Sequence, residues 1–255
     1  MSVEPQGLDF AGTLRAQRSF DAAWLVFNDH LRAHGVSHAL YAQLPSVRVR
    51  SISREMIYHA TYPEGFTRRY ASEGMIDHDP RAHYCESDAE APLYWNRPGD
   101  TLAADPEARD VLGLCEDFGL AFGMTLPLKG RSRLNRSGMG LAFDARTLAQ
   151  AEEILAASEG AILSAAALFH ALAQTPDIAA DMIRLSLRER ECLLWSAAGL
   201  RNKEIAFRLS IAEKTVEHHM ASAMTKLHAV NRTHAVARAL ILGLIAPCPA
   251  ATSLA

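Results

Sequence analysis

The 255-residue sequence is short of the features that would tie it to a membrane, a metal or an oxidising compartment. It has no uninterrupted run of about 18 apolar residues, the length a spanning helix needs. Met1-Ser2-Val3-Glu4-Pro5 lacks the basic-then-apolar layout of a secretory signal, so a cytoplasmic protein without membrane contact is expected. The four cysteines, Cys85, Cys115, Cys192 and Cys248, are scattered, with no C-x-x-C pair and no matched histidines. That spacing suggests neither a zinc site nor a disulfide framework, and no metal or cofactor is expected. A nucleophile elbow and a phosphate loop are also missing. Asp77, His78 and Asp79, or His83 and Cys85, are the residues from which an acid–base or nucleophilic set could be drawn. Neighbours in one loop cannot all face one substrate, so an enzyme is set aside.

What the sequence does hold is apolar mass and an uneven distribution of charge. At 49% hydrophobic it can bury a substantial core, and its length fits one large domain plus a small one. Residues 1–181 carry 16 Lys+Arg against 24 Asp+Glu, a net −8, whereas residues 182–255 carry 10 against 5, a net +5, together giving the −3 of the whole. The basic end suits an anionic partner, although a segment of this size is by itself weak evidence for nucleic acid.

Hydrophobic periodicity outlines the larger part. Phe20, Trp24, Phe27 and Leu31 recur at helical spacing ahead of Gly35, and 37–44 reads as a strand between Gly35 and Pro45. A helical pattern returns over 63–74. Asp105-Pro106 has N-cap and first-turn chemistry, with Gly119 as a left-handed stop. Two strands over 120–128 and 138–143 flank the polar turn 129–136, and the alanine-rich 148–174 reads as one long helix. The expectation is an α+β class: an N-terminal α-β-α sandwich over 1–174, a linker over 175–184, a small all-α four-helix domain over 185–245, and a tail over 246–255.

Within that small domain, Ser186 and Glu189 have capping-box spacing at the start of a helix that Gly199 ends. Asn202 is placed to cap a second helix carrying Ile205, Ala206 and Leu209. Ser210-Ile211 turns into a third from about Glu213 to Leu227, and Asn231 caps a fourth ending at Gly243. Lys214, Thr215, Glu217, His218 and Lys226 fall on the polar surface of the third helix, and Val216 and Leu227 on its core side. Spacing alone is compatible with a plain helical bundle with a solvated face or with a helix-turn-helix.

The string Leu185-Ser186-Leu187-Arg188-Glu189-Arg190-Glu191, then Gly199, Asn202-Lys203-Glu204-Ile205-Ala206, Lys214-Thr215-Val216, His219 and Asn231-Arg232-Thr233 resembles the LuxR-type helix-turn-helix. The resemblance implies a recognition helix over 214–227 and a homodimer on an inverted repeat of double-stranded DNA. It also implies phosphate contacts from Lys203, Lys214, Lys226 and Arg232, with Thr215, Glu217 and His218 toward base edges. Ala212 stands where the family often has a serine cap, which would weaken the helix by about 1 kcal/mol. Glu217 stands where the family is often basic, and would need a cytosine amine to accept from.

In the larger part, Tyr62, Phe66 and Tyr70 recur at i, i+4 and i+8, followed by Asp79-Pro80 and Trp95. Such a stripe is ordinarily core, and a carboxylate beside it is ordinarily solvated or capping; a buried one would need a donor such as a ligand N–H. Together with Gly119-Leu120, Gly123, Thr125 and Pro127-Leu128, these residues resemble the autoinducer-binding domain of LuxR-type quorum-sensing receptors. The resemblance implies an N-acyl-homoserine lactone in a closed pocket. Asp79 would accept from its amide, Tyr70 would meet its acyl-side carbonyl, and Tyr62 and Trp95 would wall its head group. Phe118, Phe122 and Gly140 complete the implied wall. Phe66 replaces the family's usual tryptophan and cannot donate to a lactone carbonyl. Gly140 lacks the hydroxyl that often reads a 3-oxo group. An unsubstituted or aryl acyl chain, a non-lactone ligand, and a regulator acting without ligand therefore stay open.

Overall fold

A computed structural model describes residues 6–45, 56–96, 106–130 and 134–246. The chain divides into two compact units, 1–17 with 21–172 and 18–20 with 173–255.

The first unit is built on a five-stranded antiparallel sheet in the order β2-β1-β5-β4-β3. The strands are β1 Val36–Pro45, β2 Ile57–Ala60, β3 Leu93–Tyr94, β4 Gly123–Lys129 and β5 Asn135–Phe143. The helices among the described residues of this unit are α1 Gln6–Arg15, α2 Phe20–Ala33, α3 Glu64–Ser72, α4 Pro80–Glu86, α5 Pro106–Asp117 and α6 Leu148–Ala173, with a 3-10 turn at Met75–His78 before α4. Sheet pleating sends alternate residues to opposite layers. On one face Tyr41 meets Phe169 of α6 edge-on, and Phe169 stacks on Phe27 of α2 with centroids 4.5 Å apart. On the other face, registered pairs Leu40 with Gly140 and Thr125 with Gly140 lie beneath α3, α4 and α5. This is the expected sandwich, and the second face carries the site.

Helix α6 is long and apolar enough to cross a membrane by length and composition, with a mean hydropathy of 1.5 over its most apolar stretch. Its Ile162, Ala165, Ala166 and Phe169 are nevertheless core residues of this sandwich. The strands β2 and β3 and the seven-residue α4 were not expected, since they are too brief to show a period; α1 was not expected either. Asp105 lies outside the described residues, as do Cys248 and most of the 246–255 tail. Gly119 does stop α5 in the left-handed region, at φ 71°.

The second unit contains α7 Pro176–Met182, α8 Leu187–Ala197, α9 Asn202–Leu209, α10 Glu213–Lys226 and α11 Arg232–Ile241. The stretch read as a linker is thus helical, started by Pro176 at its first turn and burying Ile178, Ala179, Ala180 and Met182. The capping box forms as its spacing requires. Ser186 Oγ accepts from Glu189 N at 3.3 Å, and Glu189 Oε2 accepts from Ser186 N at 2.8 Å. Asn202, expected as a cap, is instead the first residue of α9, preceded by Arg201, whose N–H donates to Glu204 Oε2 at 2.7 Å.

Candidate functional site

In the first unit, aromatic rings converge over the sheet. Tyr62 precedes α3, so the stripe is not wholly helical, yet its ring meets Phe66 edge-on at 5.4 Å and Phe66 stacks on Tyr70 at 5.2 Å. Trp95 donates from Nε1 to Thr125 Oγ1 at 2.8 Å and is 3% exposed. These rings, with Leu40, Ala42, Leu120 and Gly140, line a cavity of about 70 Å³. That is space for several water-sized groups in a largely apolar lining.

Asp79 is 7% exposed and faces this cavity. It caps a helix and is also buried beside a donor. Its Oδ1 caps α4 by accepting from Arg81 N at 2.8 Å, while its Oδ2 accepts from Tyr70 Oη at 2.6 Å. A carboxylate oxygen can take more than one donor, so Asp79 keeps acceptor capacity toward the cavity. Tyr70, by contrast, donates its one hydroxyl hydrogen to Asp79, and in this arrangement it cannot also donate to an acyl carbonyl. Burial first, then the Asp79 charge and hydrogen bond, raise the Tyr70 pKa well above the usual phenol value; burial likewise raises Tyr62. Both stay protonated.

Two glycines make room for these rings. A Cβ on Gly140 would stand 2.8 Å from Tyr62 Oη, and one on Gly123 would stand 2.6 Å from the Trp95 ring and 2.1 Å from Leu141 O. Gly140 therefore lies under the Tyr62 hydroxyl, in the wall where it was expected. Phe118 packs on Phe66 at 5.9 Å from behind, outside the cavity lining. Phe122 is not brought to the site: it lines a separate depression with Ser37 and His38, because Gly123 opens β4 and Phe122 precedes it.

Sequence reasoning missed Arg81. This residue is 7% exposed, its guanidinium carbon lies 4.0 Å from the Trp95 ring centroid, and its Nη1 donates to Cys115 Sγ at 3.2 Å. An arginine after Asp-Pro reads as surface, and no periodicity signals that it turns inward. Burial pushes the thiols of Cys115 and Cys85 up, the latter to about 12, although Arg81 pulls Cys115 the other way. Both are neutral packing residues.

In the second unit, α9 and α10 are joined through Ser210 in the left-handed region, φ 54°. Val216, Met220, Ala223 and Leu227 are buried, leaving Lys214, Glu217, His218, Ala221 and Thr225 on the outer face of α10, with Thr215 half-buried beside them and Lys203 exposed on α9. Two expected phosphate ligands are placed differently. Lys226 Nζ donates to both Glu189 carboxylate oxygens at 2.8–2.9 Å and to Arg184 O at 2.7 Å. Arg232 donates to Ser196 Oγ at 2.7 Å, Asn202 Oδ1 at 2.6 Å and Leu200 O at 3.1 Å, clamping the α8–α9 loop to the start of α11. Both cations are spent on internal bonds. Burial would raise the Glu189 pKa, but hydrogen bonds from Lys226, Ser222 and the Ser186 N–H outweigh it and hold the carboxyl below its usual value. Ala212 begins α10 with no side-chain cap, as expected.

An apolar cavity with a buried acceptor in one unit and a solvent-facing helix-turn-helix in the other define a small-molecule-responsive DNA-binding protein. Residues 19–173 match the autoinducer binding domain, and residues 184–239 match the bacterial regulatory proteins of the luxR family. The chain belongs to the LuxR family of transcription regulators, which are not enzymes. It is 31% identical over 219 residues to the HTH-type quorum-sensing regulator RhlR of Pseudomonas aeruginosa, covering 84% of this chain and 82% of that protein. Over 246 residues it is 26% identical to the transcriptional activator BjaR1 of Bradyrhizobium diazoefficiens, covering 95% of this chain and 97% of that one. Among solved structures, SdiA in complex with octanoyl-rac-glycerol shares the fold at a TM-score of 0.53 and 19% identity, with 96% of this chain and 98% of that chain covered.

Proposed function

We propose that the cavity of the first unit binds an acylated amide signal, an N-acyl-homoserine lactone or a related compound, and that binding controls a homodimer of this chain on an inverted-repeat DNA site. The observation that carries the reading is Asp79: a buried carboxylate capped on one side, bonded to Tyr70 on the other, and still aimed into an aromatic cavity. Such a group wants one more N–H donor, and an acyl amide supplies it while its chain fills apolar space. Lys203 and Lys214 contact phosphates, and Thr215, Glu217 and His218 read base edges. Lys226 and Arg232 support that surface from within. Ligand that binds only the folded dimer shifts the population toward the DNA-competent form by mass action.

The test is a melting-temperature screen of the full chain against acyl-homoserine lactones of varied length, including 3-oxo and aryl forms, followed by operator binding with the best compound. Stabilisation that Asp79→Ala abolishes, with DNA affinity of the C-terminal unit retained, supports the assignment. A full response in Asp79→Ala removes Asp79 from it. A flat response to every compound favours the non-lactone or ligand-free alternative.

A further inference from the structure

The cavity lining includes two charged residues of opposite sign, Asp79 and Arg81. The carboxylate already accepts one hydrogen bond on each oxygen, from Tyr70 and from a backbone N–H. The guanidinium is not matched in the same way. It stays charged at any accessible pH, and among the described residues no carboxylate lies within the 4.0 Å of an ion pair with it. Among the described residues its one side-chain acceptor is the weak Cys115 sulfur, and its Nε is buried without a hydrogen-bond partner. Stacking on Trp95 fixes its plane, and Trp95 is itself held by Thr125 and by the absence of a side chain at Gly123. Asp79 acts on this cation through space but forms no ion pair with it, so its open N–H positions, Nε among them, are costly unless an oxyanion completes them.

We propose that the signal is an N-acylated amino acid, whose carboxylate pairs with Arg81 while its amide N–H donates to Asp79 and its acyl chain lies among Phe66, Leu40 and Ala42. This deepens the reading above and rests on it. The ligand implied differs from the lactone by one hydrolysed ester bond, water adding across the ring C–O to give a free carboxylate and a hydroxyl.

The experiment compares, on the full chain, freshly prepared N-acyl-homoserine lactones with their ring-opened N-acyl-homoserines, in matched pairs from butanoyl to dodecanoyl, by calorimetry and melting temperature. The expected result is tighter binding of the open carboxylate by at least about tenfold at its best chain length. In Arg81→Gln that preference falls to within about twofold. Should Arg81→Gln fail to fold, the open acid against its neutral methyl ester on the unmodified chain reads the same charge preference. Lactones that bind while open acids and esters do not would overturn this inference and leave the acyl-amide reading standing. So would an acid preference that survives in folded Arg81→Gln. If no lactone, acid or ester binds, the acyl-amide reading itself falls, and this inference with it.

Discussion

Gly123 and Gly140 sit on neighbouring strands under the same aromatic layer, yet one added methyl group has different consequences at each. At Gly123 the methyl meets the Leu141 carbonyl at 2.1 Å, a backbone atom in the middle of a sheet that cannot retreat without breaking the β4–β5 ladder. At Gly140 it meets the Tyr62 hydroxyl, the far end of a side chain that can swing aside. Gly123→Ala should therefore lower the stability of the first unit by about 2–3 kcal/mol, as overpacking a tight core does, and Gly140→Ala by less than about 1 kcal/mol. Denaturant unfolding of the two variants measures this, and equal losses would refute the argument. The same contrast marks what was legible at residue scale. Tyr62, Phe66, Tyr70, Asp79 and Trp95 could be found because aromatics at fixed spacing near an Asp-Pro leave a pattern. Arg81 and Cys115 could not, because their burial arises from the way α4 and α5 cover the sheet, which no local rule specifies.

At the scale of elements, the long helices were readable and the short pieces were not. Helices α2, α6, α8, α10 and α11 were expected within a residue or two, since each shows an apolar pattern, and α2, α8 and α11 add a cap or stop. The two-residue β3 and the four-residue β2 exist only because β4 and β1 offer them an edge. Polarity on the third helix of the DNA-binding unit was visible as well, but not the distinction between cations facing outward and cations facing inward. That distinction is testable. Removing a phosphate contact lowers the slope of log affinity against log salt by about 1 per contact, whereas removing an internal clamp does not. Lys214→Ala should show the reduced slope with an unchanged melting temperature. Lys226→Ala should keep its slope and lose about 2 kcal/mol of stability, because Glu189 is left buried with its charge uncompensated. A reduced slope in Lys226→Ala would return that lysine to the DNA surface.

For the whole molecule, acid should separate the two units by the groups each has buried. In the first unit His170 is held between Tyr41 and the Lys129 carbonyl, each 3.0 Å from a ring nitrogen. A carbonyl can only accept, so Nε2 carries a proton toward Lys129, while Nδ1 meets the Tyr41 hydroxyl, which can donate or accept. Burial lowers the pKa of His170, even against its bond to Lys129, and lowers those of His30 and His38 as well. A histidine whose folded pKa is depressed binds fewer protons folded than unfolded, so stability rises with pH across the interval between the two values. The first unit should accordingly be fully stable above about pH 6.5, the unfolded histidine value, and weaken as pH falls below it. In the second unit the depressed group is Glu189, whose contribution is present above the unfolded carboxylate value of about 4.3 and disappears only as pH drops through its lower folded value. Calorimetry of the full chain should show the transition of the first unit moving down between about pH 7 and 5.5 while the other holds until below about 4.5. Substituting His170→Gln should flatten part of the first shift. A first-unit midpoint that stays constant over that range would mean that these histidines titrate no differently in the folded and unfolded chain.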